Sequence, residues 1–97
     1  TMLFAFIATD KPGHLQVRLD NRSDHLAFLQ GLGKALTFAG PFLDADGKPN
    51  GSMGVVEADD LEAARALLAG DPYAKAGLFA AFDVRPWSWT VNKPAEV

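Results

Sequence analysis

His25 and Asp71 are the residues of this chain whose types could do chemistry together. The chain has two histidines and no cysteine, so His14 and His25 are the side chains that titrate near neutral pH without assistance. His25 lies in Arg22-Ser23-Asp24-His25-Leu26-Ala27-Phe28-Leu29, and with Leu29 and Leu32 it occupies one stripe at helical spacing. That stripe should face the core or the lip of a cleft, where an imidazole needs a hydrogen-bond partner. Asp71, in Gly70-Asp71-Pro72-Tyr73, is the candidate partner. A carboxylate on one ring nitrogen fixes the tautomer and leaves the other nitrogen to take or give a proton. The bland alternative stays open: His25 is a rim or core histidine satisfied by backbone, and Asp71 caps the turn before Pro72.

Four further residues belong to the same reading. Arg18 and Arg22 could present an anion-binding edge to a carboxylate or enolate, or could be solvated and paired with Asp20 and Asp24. Tyr73 could orient a substrate or simply pack after Pro72. Ser52 could donate a hydrogen bond, or be an ordinary hydroxyl at a strand start. No serine sits in a nucleophile elbow, so covalent acyl chemistry is not indicated.

Other chemistries find little support. The two histidines lack the spacing of a helical metal site and no thiolate supplements them. Asp44-Ala45-Asp46-Gly47 resembles the opening of a calcium loop, but no later acidic ligand arrives at the required offset. Gly47-Lys48 lacks the flanking residues of a phosphate loop. Neither metal nor cofactor is therefore expected. The net charge of −3, with lysines and arginines scattered, argues against a nucleic-acid partner. The apolar run Met2–Ala8 is too short to span a membrane and has no basic flank or cleavage site. The expected location is cytoplasmic, and Thr1 before Met2 reads as a residue left over from expression.

These side chains need a frame, and 97 residues of ordinary globular composition, 48% hydrophobic, predict a single domain over 1–97. Met2–Ala8 is continuously apolar with aromatic and β-branched content, the pattern of a strand buried on both faces. Asp10, Pro12 and Gly13 predict a loop over 9–20. A helix then starts near Asn21 or Ser23 and ends after Leu32, with Gly33 as a left-handed C′ residue. Lys34–Phe42 reads as a second strand, Leu43–Gly51 as turn and Ser52–Ala58 as a third strand hairpinned to the second. Asp59 caps the next helix, with Glu62 at capping-box spacing, and Leu61, Ala64 and Leu68 face inward. Pro72 stops that helix, Tyr73–Gly77 connects, and Leu78–Val91 is a final strand in which Pro86 marks a bulge or an edge. Residues 92–97 are expected to be a frayed tail.

The order β-α-β-β-α-β predicts an α+β, ferredoxin-like domain: a four-stranded antiparallel sheet with two helices on one face. The first strand is apolar on both sides (Leu3, Ala5, Ile7 and Phe4, Phe6, Ala8). The last carries Leu78, Ala80, Phe82 and Val84 on one side and Phe79, Ala81, Trp87 and Trp89 on the other, so the uncovered face would be apolar. Such a patch is larger than monomers usually leave bare, so a two-fold homodimer through the open sheet face is expected. Within the fold, the start of the first helix and the end of the second should share an edge, the condition for His25 and Asp71 to meet.

The residues that carry this reading also form a pattern. Arg18-x-x-x-Arg22-x-x-His25-Leu26, Ala39-Gly40-Pro41, Gly51-Ser52, Asp71-Pro72-Tyr73, Ala76-Gly77-Leu78 and Arg85-Pro86-Trp87 together resemble the YCII-related (YciI-like) family from Leu3 to about Trp89. The resemblance implies a dimeric α+β barrel with a His/Asp-centred site, here His25 and Asp71. Ser23-Asp24 departs from the Pro-Ala often found before the histidine, and the loop Leu43–Asn50 is short. The resulting expectation is a small-molecule enzyme of lyase or isomerase type acting on a small organic acid or enol. His25 would carry the proton, Asp71 would orient it, and Arg18 or Arg22 would anchor the anion. A non-catalytic binding or sensing dimer, or a structural dimer with a core histidine, are the alternatives.

Overall fold

The computed structural model describes residues 1–95; the last two positions of the expected tail lie outside the described residues. Nine elements follow in order: β1 (Met2–Asp10), α1 (Leu15–Asp20), α2 (Arg22–Gly31), a 3-10 turn (Gly33–Ala35), β2 (Leu36–Leu43), β3 (Pro49–Ala58), α3 (Leu61–Leu68), α4 (Pro72–Lys75) and β4 (Phe79–Trp87). The strands form one antiparallel sheet in the order β2-β3-β1-β4, so the first strand lies between the third and the last. This is the ferredoxin-like α+β arrangement.

Alternation in β1 divides the molecule. Phe4, Phe6 and Ala8 are buried, while Leu3 and Ala5 on the other side are half-buried and Ile7 is exposed. Phe4 and Phe6 join Val56, Val84 and, from α3, Ala64 and Leu68 in one core. Gly54 opposes Phe6 in the β1–β3 register, and a Cβ there would stand 2.6 Å from the Phe6 ring and from the Phe38 carbonyl. Glycine is thus the residue that lets the Phe6 ring lie across β3.

Several local expectations are corrected. Residues 9–20 are not a loop: β1 continues through Asp10, and Leu15–Asp20 is helical. Pro12 and Gly13 break the chain for one turn only, after which Leu15 and Arg18 turn a helical face toward the sheet and Gln16 bonds Asp20 one turn on. The first helical arm is therefore two helices, interrupted at Asn21. There the backbone leaves helical geometry, and Asn21 Nδ2 bonds the Val17 carbonyl instead of capping α2. Gly33 does take the left-handed conformation past the end of α2. Asp60, not Asp59, caps α3 through a 2.8 Å bond from the Ala63 amide. Pro72 begins a helical turn rather than a plain connector, since proline is favoured where no amide donor is needed. β4 stops at Trp87 rather than Val91, and Pro86 lies on this edge strand. Residues 88–95 have no regular structure.

The open side of the sheet is partly roofed by its own side chains. Phe38 and Trp87 sit on the two outer strands, about 14 Å apart at the usual strand spacing, yet their rings approach to 6.2 Å. Trp89 joins them, 5.5 Å from Phe38 and 5.6 Å from Trp87. These rings must lean inward over the middle strands, which accounts for Val55 being only 1% exposed on a face with no helix. Past this bridge the cross-strand pair Ile7 and Met53 stays open, at 47% and 37% exposure.

Candidate active site

The residues singled out for chemistry come from four elements that converge at one end of the helical layer. α1 carries Arg18, α2 carries Arg22 and His25, β3 carries Ser52, and the α3–α4 junction carries Asp71 and Tyr73. Arg18, Arg22, His25, Ser52 and Tyr73 line a cavity of about 150 Å³, with Phe6, Leu26, Leu29 and Ala39–Pro41 completing its wall. Asp71 stands behind His25, outside that lining.

His25 Nδ1 lies 2.8 Å and 3.0 Å from the two Asp71 carboxylate oxygens. The same Asp71 Oδ1 accepts a 2.9 Å bond from the Tyr73 amide, so Asp71 caps α4 and holds the imidazole at once. The His25 ring stacks on Tyr73 at 3.8 Å between centroids, with planes 13° apart. An ionised carboxylate only accepts, so Nδ1 must be the protonated nitrogen in this contact; Nε2 is then the nitrogen with a free electron pair in a neutral ring.

A second charged pair lies beside the first. Arg18, 4% exposed, donates through Nε and Nη2 to the two oxygens of Asp10 at 2.7 and 2.9 Å, and through Nη2 to Ser52 Oγ at 3.0 Å. Its guanidinium carbon lies 4.7 Å from the centre of the Tyr73 ring, a cation–π distance. Burial works against the Arg18 charge, but the hydrogen bond and charge of Asp10, helped by Tyr73, outweigh it and hold the guanidinium above the ordinary arginine value. Burial pushes the Tyr73 phenol up; the charges of Arg18 and Arg22 pull it down and Asp71 adds to the rise. Among the described residues no buried side-chain nitrogen or oxygen lacks a partner.

Asp10 was not among the expected site residues, and Arg18 pairs with it rather than with Asp20. The signal was available in the alternation of β1: Phe4, Phe6, Ala8 and Asp10 share one parity, so a strand continued two residues further carries Asp10 to the helical side. Trp87 and Trp89, by contrast, line no part of this cavity. Among the described residues no cluster of three or more metal-ligating side chains occurs.

An antiparallel α+β sheet with a charged cavity beneath its first helices defines a small ferredoxin-like domain with a ligand-sized site. The chain belongs to the YCII-related family, whose domain profile matches residues 2–88. It is 39% identical over 95 residues to protein YciI of Escherichia coli O6:H1, covering 89% of this chain and 96% of that one. An uncharacterised protein of Haemophilus influenzae is 34% identical with the same coverage. Among solved structures, the 5-chloro-2-hydroxyhydroquinone dehydrochlorinase TftG of Burkholderia phenoliruptrix AC1100, in complex with 2,5-dihydroxybenzoquinone, superposes with a TM-score of 0.84. Its sequence is 40% identical, with coverage of 90% of this chain and 94% of that one. A NIPSNAP family protein of Agrobacterium tumefaciens, 19% identical over 97% of each chain at a TM-score of 0.58, shares the fold. No helix among the described residues is long and apolar enough to cross a membrane.

Proposed function

We propose that this protein is a small-molecule enzyme of lyase or isomerase type that moves a proton on a small organic acid or enol, with His25 as the proton carrier. The observation that carries the reading is an imidazole held at Nδ1 by Asp71, 2.8 Å away, while its ring borders a cavity. The resemblance to TftG, whose name records a dehydrochlorinase and whose ligand is a dihydroxybenzoquinone, favours a hydroxylated six-membered ring as substrate. A cavity of roughly this volume holds one such ring.

In an elimination, neutral His25 takes the hydroxyl proton of the enol at Nε2. The O–H pair becomes a carbonyl, the double bond shifts, and a leaving group on the allylic carbon departs with its bonding electrons. Imidazolium then gives its proton to water, and the sum is loss of HX. In an isomerisation the imidazolium instead delivers that proton to a carbon of the former enol double bond, leaving the ketone. Asp71 stabilises the imidazolium and keeps the ring turned, while an arginine of the cavity wall offsets the enolate charge.

We also propose that the open sheet face pairs with that of a second copy. Ile7, Met53 and the outer faces of Phe38 and Trp87 are the surface to be covered.

Chloride release from chlorinated hydroquinones tests the catalytic reading. His25→Asn is expected to lower the rate about 10²-fold or more, with thermal stability nearly unchanged. Chloride release at the wild-type rate in that variant would remove His25 from the mechanism, and a large loss of stability would point to a structural dimer with a core histidine. Ring ligands that bind without turnover would favour a sensing module instead.

A further inference from the structure

We infer that Arg22 anchors the anionic group of the ligand, whereas Arg18, matched by Asp10, is a positioning residue, so that Asp10 sets how much anionic charge the cavity accepts. This rests on the reading of the cavity as a small-molecule site and divides a role left open between two arginines.

The two differ in what already answers their charge. Both oxygens of Asp10 are taken up by Arg18, the side chains of the pair are 5% and 6% exposed, and Ser52 occupies Nη2 as well. Opposite charges in bidentate contact offset each other's field, so a ligand meets Arg18 with part of its charge already answered. Arg22 is exposed and borders the same cavity. Among the described residues the ion pairs are Arg18–Asp10 and His25–Asp71, and Arg22 is in neither. Asp71 lies outside the cavity lining, and Arg22 is the lining cation with no ion-pair partner among the described residues.

Arg18 instead sets the geometry. It ties β1 to β3 through Asp10 and Ser52 and lies over the Tyr73 ring, against which His25 stacks. Asp10 thus acts on the ligand only through Arg18. Neutralising it would expose a second cation.

Calorimetric titration with two probes tests this: salicylate, a monoanion at neutral pH, and 2,5-dihydroxybenzoquinone, whose two acidic hydroxyls make it a dianion there. Arg22→Met, at an exposed position, is expected to weaken both about tenfold and to flatten the dependence of affinity on salt. Asp10→Asn is expected to shift preference toward the dianion about tenfold, and Asp10→Glu to restore the wild-type ratio. A merely structural Asp10 would change both affinities by one factor. Affinity and salt dependence unchanged in Arg22→Met, or equal factors in Asp10→Asn, would overturn the inference. If Asp10→Asn does not fold, the Arg22→Met result decides alone. Wild-type protein binding neither probe would overturn this inference and the ligand-site reading together. The expected arginine pattern without His25-dependent turnover would strike only the catalytic proposal.

Discussion

The two sides of the sheet solve opposite problems. On the helical side, polar and charged groups are buried but each is answered within the chain: Arg18 by Asp10 and Ser52, His25 by Asp71, and Asp71 again by the Tyr73 amide. On the far side, apolar groups stay exposed, and the chain covers only the end near Phe38, Trp87 and Trp89 with its own rings. Buried charge left alone is so costly that it must be satisfied during folding. Exposed hydrophobic area is tolerable for a time and can wait for a second molecule. The buried charges are therefore satisfied within one chain, and the open face is the region proposed to pair with a second copy.

The sharpest way to break this contrast is to remove one member of the buried pair. Asp10→Ala leaves the Arg18 charge buried without its carboxylate and is expected to cost about 3 to 5 kcal/mol in urea unfolding. The double replacement Asp10→Ala with Arg18→Met should recover most of that loss. A single-variant cost below about 1 kcal/mol would mean that water screens the pair after all.

On the open face, Trp87→Glu with Ile7→Lys should leave the circular dichroism of the fold in place and shift the light-scattering mass at micromolar concentration to that of one chain. It should also abolish any dependence of Tm on protein concentration, at a cost of about 2 kcal/mol from lost apolar burial. A wild-type chain that is already monomeric under those conditions would leave the exposed patch without the proposed partner.

Asp71→Asn sharpens the comparison at smaller cost. Asparagine also caps a helix, so stability should fall by about 1 kcal/mol or less. The ring contact, however, loses its carboxylate, and nitrogen-15 chemical shifts should show His25 no longer held in the Nδ1–H tautomer. A tautomer unchanged by this substitution would show that something other than Asp71 orients the ring.

The smallest effect is read from Tyr73, the one tyrosine of the chain. Its phenol is pushed above the ordinary value by burial. A raised value in the folded state means that the stabilisation from the neutral ring is whole below the unfolded value of about 10. That stabilisation is lost as pH rises through the folded value. Tyrosinate absorbance should therefore appear later in the native protein than in urea, and later still in Arg18→Gln, which removes a charge that favours the phenolate. An earlier titration than in urea would count against the buried position.

Much of the frame was legible because its causes are local. The continuous apolar run of β1, the inward stripe Leu61, Ala64 and Leu68, and Gly33 beyond α2 all follow from periodicity or backbone freedom. The errors fell where a local signal was overridden. Asp10, Pro12 and Gly13 look like one long loop, but the strand holds through Asp10 because β4 pairs with it, and the chain needs only a single turn before α1. The patch on the far face was legible as composition. Its partial closure by Phe38 and the two tryptophans was not, since those rings come from opposite edges of the sheet.

Residue order alone determined which groups could do chemistry and which side of a helix or strand each occupies, because those depend on torsions and spacing within a few residues. Tertiary structure decided which charge answers which. Asp10 reaches Arg18 because a short turn sets α1 back beside the end of β1. His25 reaches Asp71 across 46 positions because the fold brings the α4 turn to α2. A hydrogen bond tolerates errors of a few tenths of an ångström, and no sequence period carries a distance at that scale.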